Sequence, residues 1–162
     1  NIEVSKMDAH NLTFPDNSFD VVTCRAAIHH FDNPDKNLSA IHRILNKNGF
    51  IVIMDFCFSE IAKQALTSLC MLREDDFRNY FTFHDYCNYL ESNSFEIDTI
   101  YTYTLPRVLE EWVSVAPRNV QQRILNAFFK LDERILKELN IREDNNKHYM
   151  IYRIVEIIAK KS

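Results

Sequence analysis

One glycine in 162 residues constrains this chain more than any other feature. Average usage is about 7%, which would place roughly 11 glycines in this length. With Gly49 alone, neither a G-x-G-x-x-G turn nor a phosphate-cradling P-loop can form. Any nucleotide-like ligand must therefore be held without a glycine-rich loop from this chain. Gly49 follows Asn48, a turn pair.

The length suits one domain with a real core and not two. Hydrophobic residues make up 46% and charged residues 26%, the balance of a soluble globular protein. No apolar run approaches the ~20 residues a membrane span needs, and the mixed, polar opening residues are not expected to be a secretory leader. A net charge of -4 and a pI near 5.9 argue against a nucleic-acid partner, which wants a basic face. The acidic cluster Glu74-Asp75-Asp76 reads as a solvated helix end. Cys24, Cys57, Cys70 and Cys87 form no C-x-x-C pair, so a zinc site is not expected. They read as small buried hydrophobes, free thiols suited to a reducing, cytoplasmic setting. No metal is expected elsewhere: His29-His30 are adjacent and not spaced as a helical pair, and no H-E-x-x-H occurs.

Hydrophobic periodicity supplies the elements. Ile2 to Ser5 is a short strand candidate, and Phe19 to Cys24 the next. Asn33-Pro34 opens a helix as N-cap and first helical position, with Leu38, Ile41 and Leu45 at helical spacing and Asn48-Gly49 as the stop. Phe50 to Phe56 is almost wholly apolar, as a strand covered on both faces should be. Such a strand–helix–strand unit predicts parallel neighbours. A long helix then runs through Ile61 and Leu72, and another from a Thr82 cap to Asn93. Phe95 to Thr104 is a strand, with Phe95, Ile97, Tyr101 and Tyr103 on one parity and Pro106 as its end. After a helix around Trp112, closed by Pro117, Val120 to Ile135 predicts one long amphipathic helix. Asn140 to Lys147 is a polar loop, and Tyr149 to Ala159 a strand inside the sheet. The alternation predicts an α/β, doubly wound sheet, with ligands at the carboxyl ends of its strands. Asp8-Ala9, Cys24 to Phe31 and Asp55-Phe56 lie at those ends.

The run DAHNLTFPDNSFDVVTCRAAIHHFDNPDKNLSAIHRILNKNGFIVIMDF, from Asp8 to Phe56, resembles the class I S-adenosylmethionine-dependent methyltransferases. Within them it is most similar to the small-molecule group that includes the ubiquinone and menaquinone biosynthesis methyltransferases. The pattern is D-A-x-x-L-x-F-P-D-x-S-F-D, then H-x-F, then R-I-L-x-x-x-G. The resemblance implies the C-terminal part of a Rossmann-like methyltransferase domain spanning 1–162. Its sheet would be incomplete, made of the late strands with the last antiparallel. Residues 57–94 and 105–140 would be helical insertions forming a lid.

The resemblance also implies roles. S-adenosylmethionine would be the cofactor and a small molecule the methyl acceptor. Asp8 would accept from the adenine amino group, the Ala9 backbone would face the ring edge, and Leu12 and Phe14 would flank it. Cys24, Arg25 and Ala26 would line the floor near the methionine part. His29 and His30 would face the acceptor, where a histidine can take a proton near neutral pH.

The family's preceding strands, glycine loop and acidic residue have no counterpart here, so this segment alone is not expected to be competent. In the family the strand equivalent to Phe19–Cys24 pairs with the first strand; here it would lie on an open edge. Such an edge invites pairing. It is expected to be covered by a preceding segment, by Ile2 to Ser5, or by a second copy in a homodimer. The alternative function is a non-catalytic, methyltransferase-like module for binding or oligomerisation.

Overall fold

The computed structural model describes residues 2–162. Strand β1 (Phe19–Arg25) leads through a single 3-10 turn at Ile28–His30 into helix α1 (Pro34–Ile44) and strand β2 (Leu45–Phe56). Helices α2 (Glu60–Arg73) and α3 (Phe83–Ser92) precede strand β3 (Phe95–Val108). Helices α4 (Leu109–Ser114), α5 (Arg118–Phe128) and α6 (Glu133–Glu138) follow, then β4 (Arg142–Asp144) and β5 (Lys147–Lys161). The sheet order is β1-β2-β5-β3, with β4 added to β5. β1 and β2 are parallel, whereas β5 runs antiparallel to both β2 and β3. The fold is therefore α/β with a mixed sheet whose last strand is antiparallel and central, as expected.

Local chemistry explains the boundaries. The Asn33 side chain accepts the Lys36 N–H at 3.0 Å with Pro34 in the first turn of α1, satisfying a donor that the helix leaves free. Thr82 and Asp85 form a reciprocal capping box on α3. β4 and β5 are joined by Asn145-Asn146, both at positive φ. Asparagine tolerates that conformation, so the loop expected over 140–147 is a tight hairpin. Among the described residues no helix is long and apolar enough to cross a membrane.

Several expectations need correction. Ile2–Ser5 forms no strand; Ile2 and Val4 are each 93% exposed. They do not cover the β1 edge, which has no strand partner among the described residues and leaves Val21 51% exposed. A short segment with no partner gains too little from pairing to offset its ordering entropy. β3 runs past Pro106 to Val108. It is an edge strand, where a missing N–H costs no ladder bond on the open side. A register shift between Ile97 and Thr99 turns Tyr101 and Tyr103 outward, away from the face that buries Phe95. One extra residue reverses the facing of all that follow. The helix expected from Val120 to Ile135 is two, because Asp132 caps α6 by accepting the Arg134 N–H at 2.8 Å. Cys24, Cys57 and Cys70 are buried, but Cys87 is only half-buried; all four are free.

α1 ends before the Asn48-Gly49 pair, at Ile44, and residues 46–49 form an irregularity where β2 joins β1. Asn48 takes the left-handed conformation (φ 64°), and Gly49 does not. Gly49 is required for close approach: a Cβ there would lie 2.9 Å from the Asn46 carbonyl oxygen and 3.0 Å from that of Asp20. Gly49→Ala is expected to cost about 1–3 kcal/mol through this overpacking. Urea denaturation checks it, and an unchanged midpoint would show that the backbone gives way freely.

Two apolar clusters form the core. One packs β1, β2, the Val155–Ala159 end of β5, α1 and α3. The other joins α2, α4, α5 and α6 to Met150 and Tyr152 of β5. Tyr152 and Val155 differ in parity, so the same strand serves opposite faces of the sheet at its two ends.

Candidate active site

The residues singled out from the sequence gather around two cavities. Ala9, Leu12, Phe14, Cys24 and Arg25 line the first, of about 500 Å³, together with Val22, Ile41 and the free edge of β1. Ala26, His29 and His30 line the second, of about 370 Å³. Asp8 stands beside Ala9 on an exposed turn.

The 8–16 loop has no strand to hold it, and α1 pins it instead. The Asn37 amide donates to the Ala9 carbonyl at 2.8 Å. The Arg43 guanidinium donates to the carbonyls of Leu12 (2.7 Å) and Phe14 (2.9 Å) and to the Asp16 carboxylate (2.6 Å). Neither residue was legible as a positioning group, because their targets are backbone oxygens 28 to 31 residues away. Asp8 makes an Asx-turn: its Oδ1 accepts the His10 N–H at 2.9 Å and contacts His10 Nδ1 at 2.9 Å. These His10 hydrogen bonds, the backbone one first, hold its carboxyl below the usual carboxylate range. Oδ2 has no partner among the described residues. An ionised acceptor beside an apolar cavity fits an exocyclic amine on a flat ring. Burial pushes the Cys24 thiol up to about 12, so it stays neutral as a wall of that cavity.

The second cavity opens where β1 and β2 end. Its central group is a buried pair: His29 Nδ1 lies 2.6 Å from Asp55 Oδ1. Asp55 also accepts the N–H groups of Ala27 (3.2 Å) and Ile28 (3.0 Å) on Oδ2, and of Phe56 (2.8 Å) on Oδ1. With three backbone donors and one ring on two oxygens, the carboxylate is saturated and fixes the imidazole's orientation. His29 Nε2 has no protein partner among the described residues. The His29 carbonyl in turn accepts from Arg78 (3.0 Å) and Asn79 (3.1 Å), anchoring the loop after α2. His29 packs among Phe56, Phe77 and Tyr80, and the far wall is Trp112 and Tyr152.

His30 differs from His29. It is half-exposed, and its Nδ1 lies 3.1 Å from the Asp76 carbonyl oxygen. His30, Glu74 and Asp76 bring ligand-type atoms within 4.8 Å of one another. Glu74 is already paired with Arg73. Arg73, Arg107, Glu111 and Trp112 were not named as site residues from sequence; they come from the end of α2, β3 and α4, elements distant along the chain.

Comparison with known proteins bears on the family. Residues 1–53 match the methyltransferase domain model. An uncharacterized methyltransferase, YcgJ of Bacillus subtilis, is 26% identical over 115 residues, covering 70% of this chain and 46% of that protein. The ubiquinone/menaquinone biosynthesis C-methyltransferase UbiE of Pseudoalteromonas translucida is 38% identical over 56 residues, 35% of this chain and 22% of that protein. The chain thus spans less than half the length of these two curated relatives. The crystal structure of YcgJ superposes with a TM-score of 0.88 at 21% identity, covering 97% of this chain and 70% of that one. A Bacillus halodurans protein assigned to the methyltransferases superposes with a TM-score of 0.90 at 21% identity, over 99% of this chain and 78% of that one. Residues 1–53 are thus similar to the methyltransferase domain, and the chain shares the fold of those two structures.

Proposed function

We infer that this chain supplies the adenine end of a cofactor site and the acceptor pocket of an enzyme that methylates a small molecule. The observation that carries the reading is the buried His29–Asp55 pair in the wall of a cavity lined by aromatic side chains at the carboxyl ends of β1 and β2. S-adenosylmethionine supplies an electrophilic methyl group on a sulfonium. The Asp8 carboxylate accepts from the adenine amine through Oδ2, Ala9 offers its backbone to the ring edge, and Leu12 and Phe14 flank it. Cys24, Arg25 and Ala26 form the floor between the two cavities. His29, held by Asp55 through Nδ1, takes a proton from an acceptor hydroxyl or amine at Nε2. His30 stands at the rim and orients the acceptor. Residues 57–94 and 105–140 cover the pocket and exclude water, which matters because in-line displacement depends chiefly on positioning.

Calorimetry with S-adenosylhomocysteine on the native protein that carries this chain tests the cofactor side. Asp8→Ala is expected to weaken binding about tenfold, the low end for a charge-assisted hydrogen bond. Equal affinity in the variant would remove Asp8 from the site, and no binding by the unaltered protein would refute the cofactor reading.

A further inference from the structure

The charges around the 370 Å³ cavity are unevenly committed. Arg73 pairs with Glu74, donates to the Trp112 carbonyl at 2.7 Å and lies 4.9 Å from the Trp112 ring centroid. Glu111 faces Lys147 at 3.3 Å. Asp55, which borders an adjoining cleft of about 90 Å³, has both oxygens occupied. Arg107 lines both spaces, yet among the described residues it has neither an ion pair nor a hydrogen bond. Arg25, the other cation of the small cleft, is equally uncommitted. The cavity therefore has flat aromatic walls, a histidine in one wall and an unanswered positive charge at its rim.

We propose that the acceptor is a flat aromatic molecule bearing an anionic substituent, with its ring among Phe56, Phe77, Trp112 and Tyr152 and its anion on the Arg107 guanidinium. An arginine suits this because its planar fork matches a carboxylate with two parallel hydrogen bonds. The ring is recognised by stacking and edge-on contacts, which leaves its hydroxyl or amine for His29. The proposal rests on this cavity being the acceptor pocket.

The test is ligand-observed NMR titration with 4-hydroxybenzoate and with its neutral amide. The carboxylate is expected to bind about tenfold more tightly at low salt, with the preference shrinking as ionic strength rises. Arg107→Gln is expected to abolish the preference by weakening the carboxylate far more than the amide; Arg107→Lys should restore part of it. Arg107 is exposed, so neither substitution threatens folding. Equal affinities for the two ligands in the unaltered protein would overturn the charge assignment and leave the pocket reading intact. Absence of binding by both would overturn the pocket reading itself. Displacement of bound 4-hydroxybenzoate by S-adenosylhomocysteine would assign the arginine to the cofactor and overturn the proposal.

Discussion

Asp55→Ala is expected to destabilise the protein by about 3–5 kcal/mol, the cost of leaving buried polar groups without their charged partner. Asp55 is 2% exposed, and its two oxygens accept from Ala27, Ile28, Phe56 and His29. Alanine removes all four acceptor positions at once. The 3-10 turn carrying His29 then loses what fixes it to the end of β2. Asp55→Asn is expected to be milder, since the amide oxygen keeps one acceptor while its NH₂ faces donors. Urea denaturation with unchanged m-values measures both. A loss below about 1 kcal/mol in the alanine variant would show that the clamp contributes no more than a surface ion pair. Only the residual folded fraction should then be tested for methyl transfer, because a fallen rate in a partly unfolded sample says nothing of His29.

Phe128→Ala is expected to have a comparable effect, about 3–5 kcal/mol, from a lost aromatic and the cavity left behind. Phe128 is fully buried in the cluster that joins α2, α4, α5 and α6 to β5. Trp112, the single tryptophan, sits in the same cluster. Its fluorescence should therefore change at a lower denaturant concentration in the variant. The β1–β2–α1 cluster does not contain Phe128. If the far-ultraviolet transition lags the tryptophan signal, the helical layer opens before the sheet. If the Trp112 transition does not move at all, Phe128 is not holding that layer.

How much was legible in the sequence depended on how far each signal had to reach. Asn33-Pro34 and Thr82 with Asp85 are local chemistry, and both helix starts appeared where their caps required. The central place of β5 was legible too, because Tyr149 to Ala159 is apolar on both parities and only a strand with two neighbours covers both. The misses are non-local or conformational. The reversal of Tyr101 and Tyr103 comes from one inserted residue near Thr99, which parity counting along β3 cannot see. The division between α5 and α6 turned on Asp132, whose cap competes with an otherwise continuous apolar spacing. At the site, Asp8, Ala9, Cys24 and the two histidines carry a contiguous motif, whereas Asn37 and Arg43 act on backbone oxygens that any residue would supply. Arg107 and Trp112 meet His29 only after the chain has crossed the sheet.

The position of β5 also bears on when the molecule can assemble. β2 and β3 do not pair with each other; each pairs with β5. While residues 147–161 are still inside the ribosome, β1–α1–β2 can form as a local parallel unit, but β3 has no ladder to join. Its outward tyrosines and both unpaired rims would then be open to other nascent chains, and the wall that Tyr152 gives the pocket would be missing. Sheet closure is thus a late, non-local event. The rate at which residues 147–161 emerge, and the availability of chaperones until then, would set the yield of folded molecules more than the stability of the finished sheet.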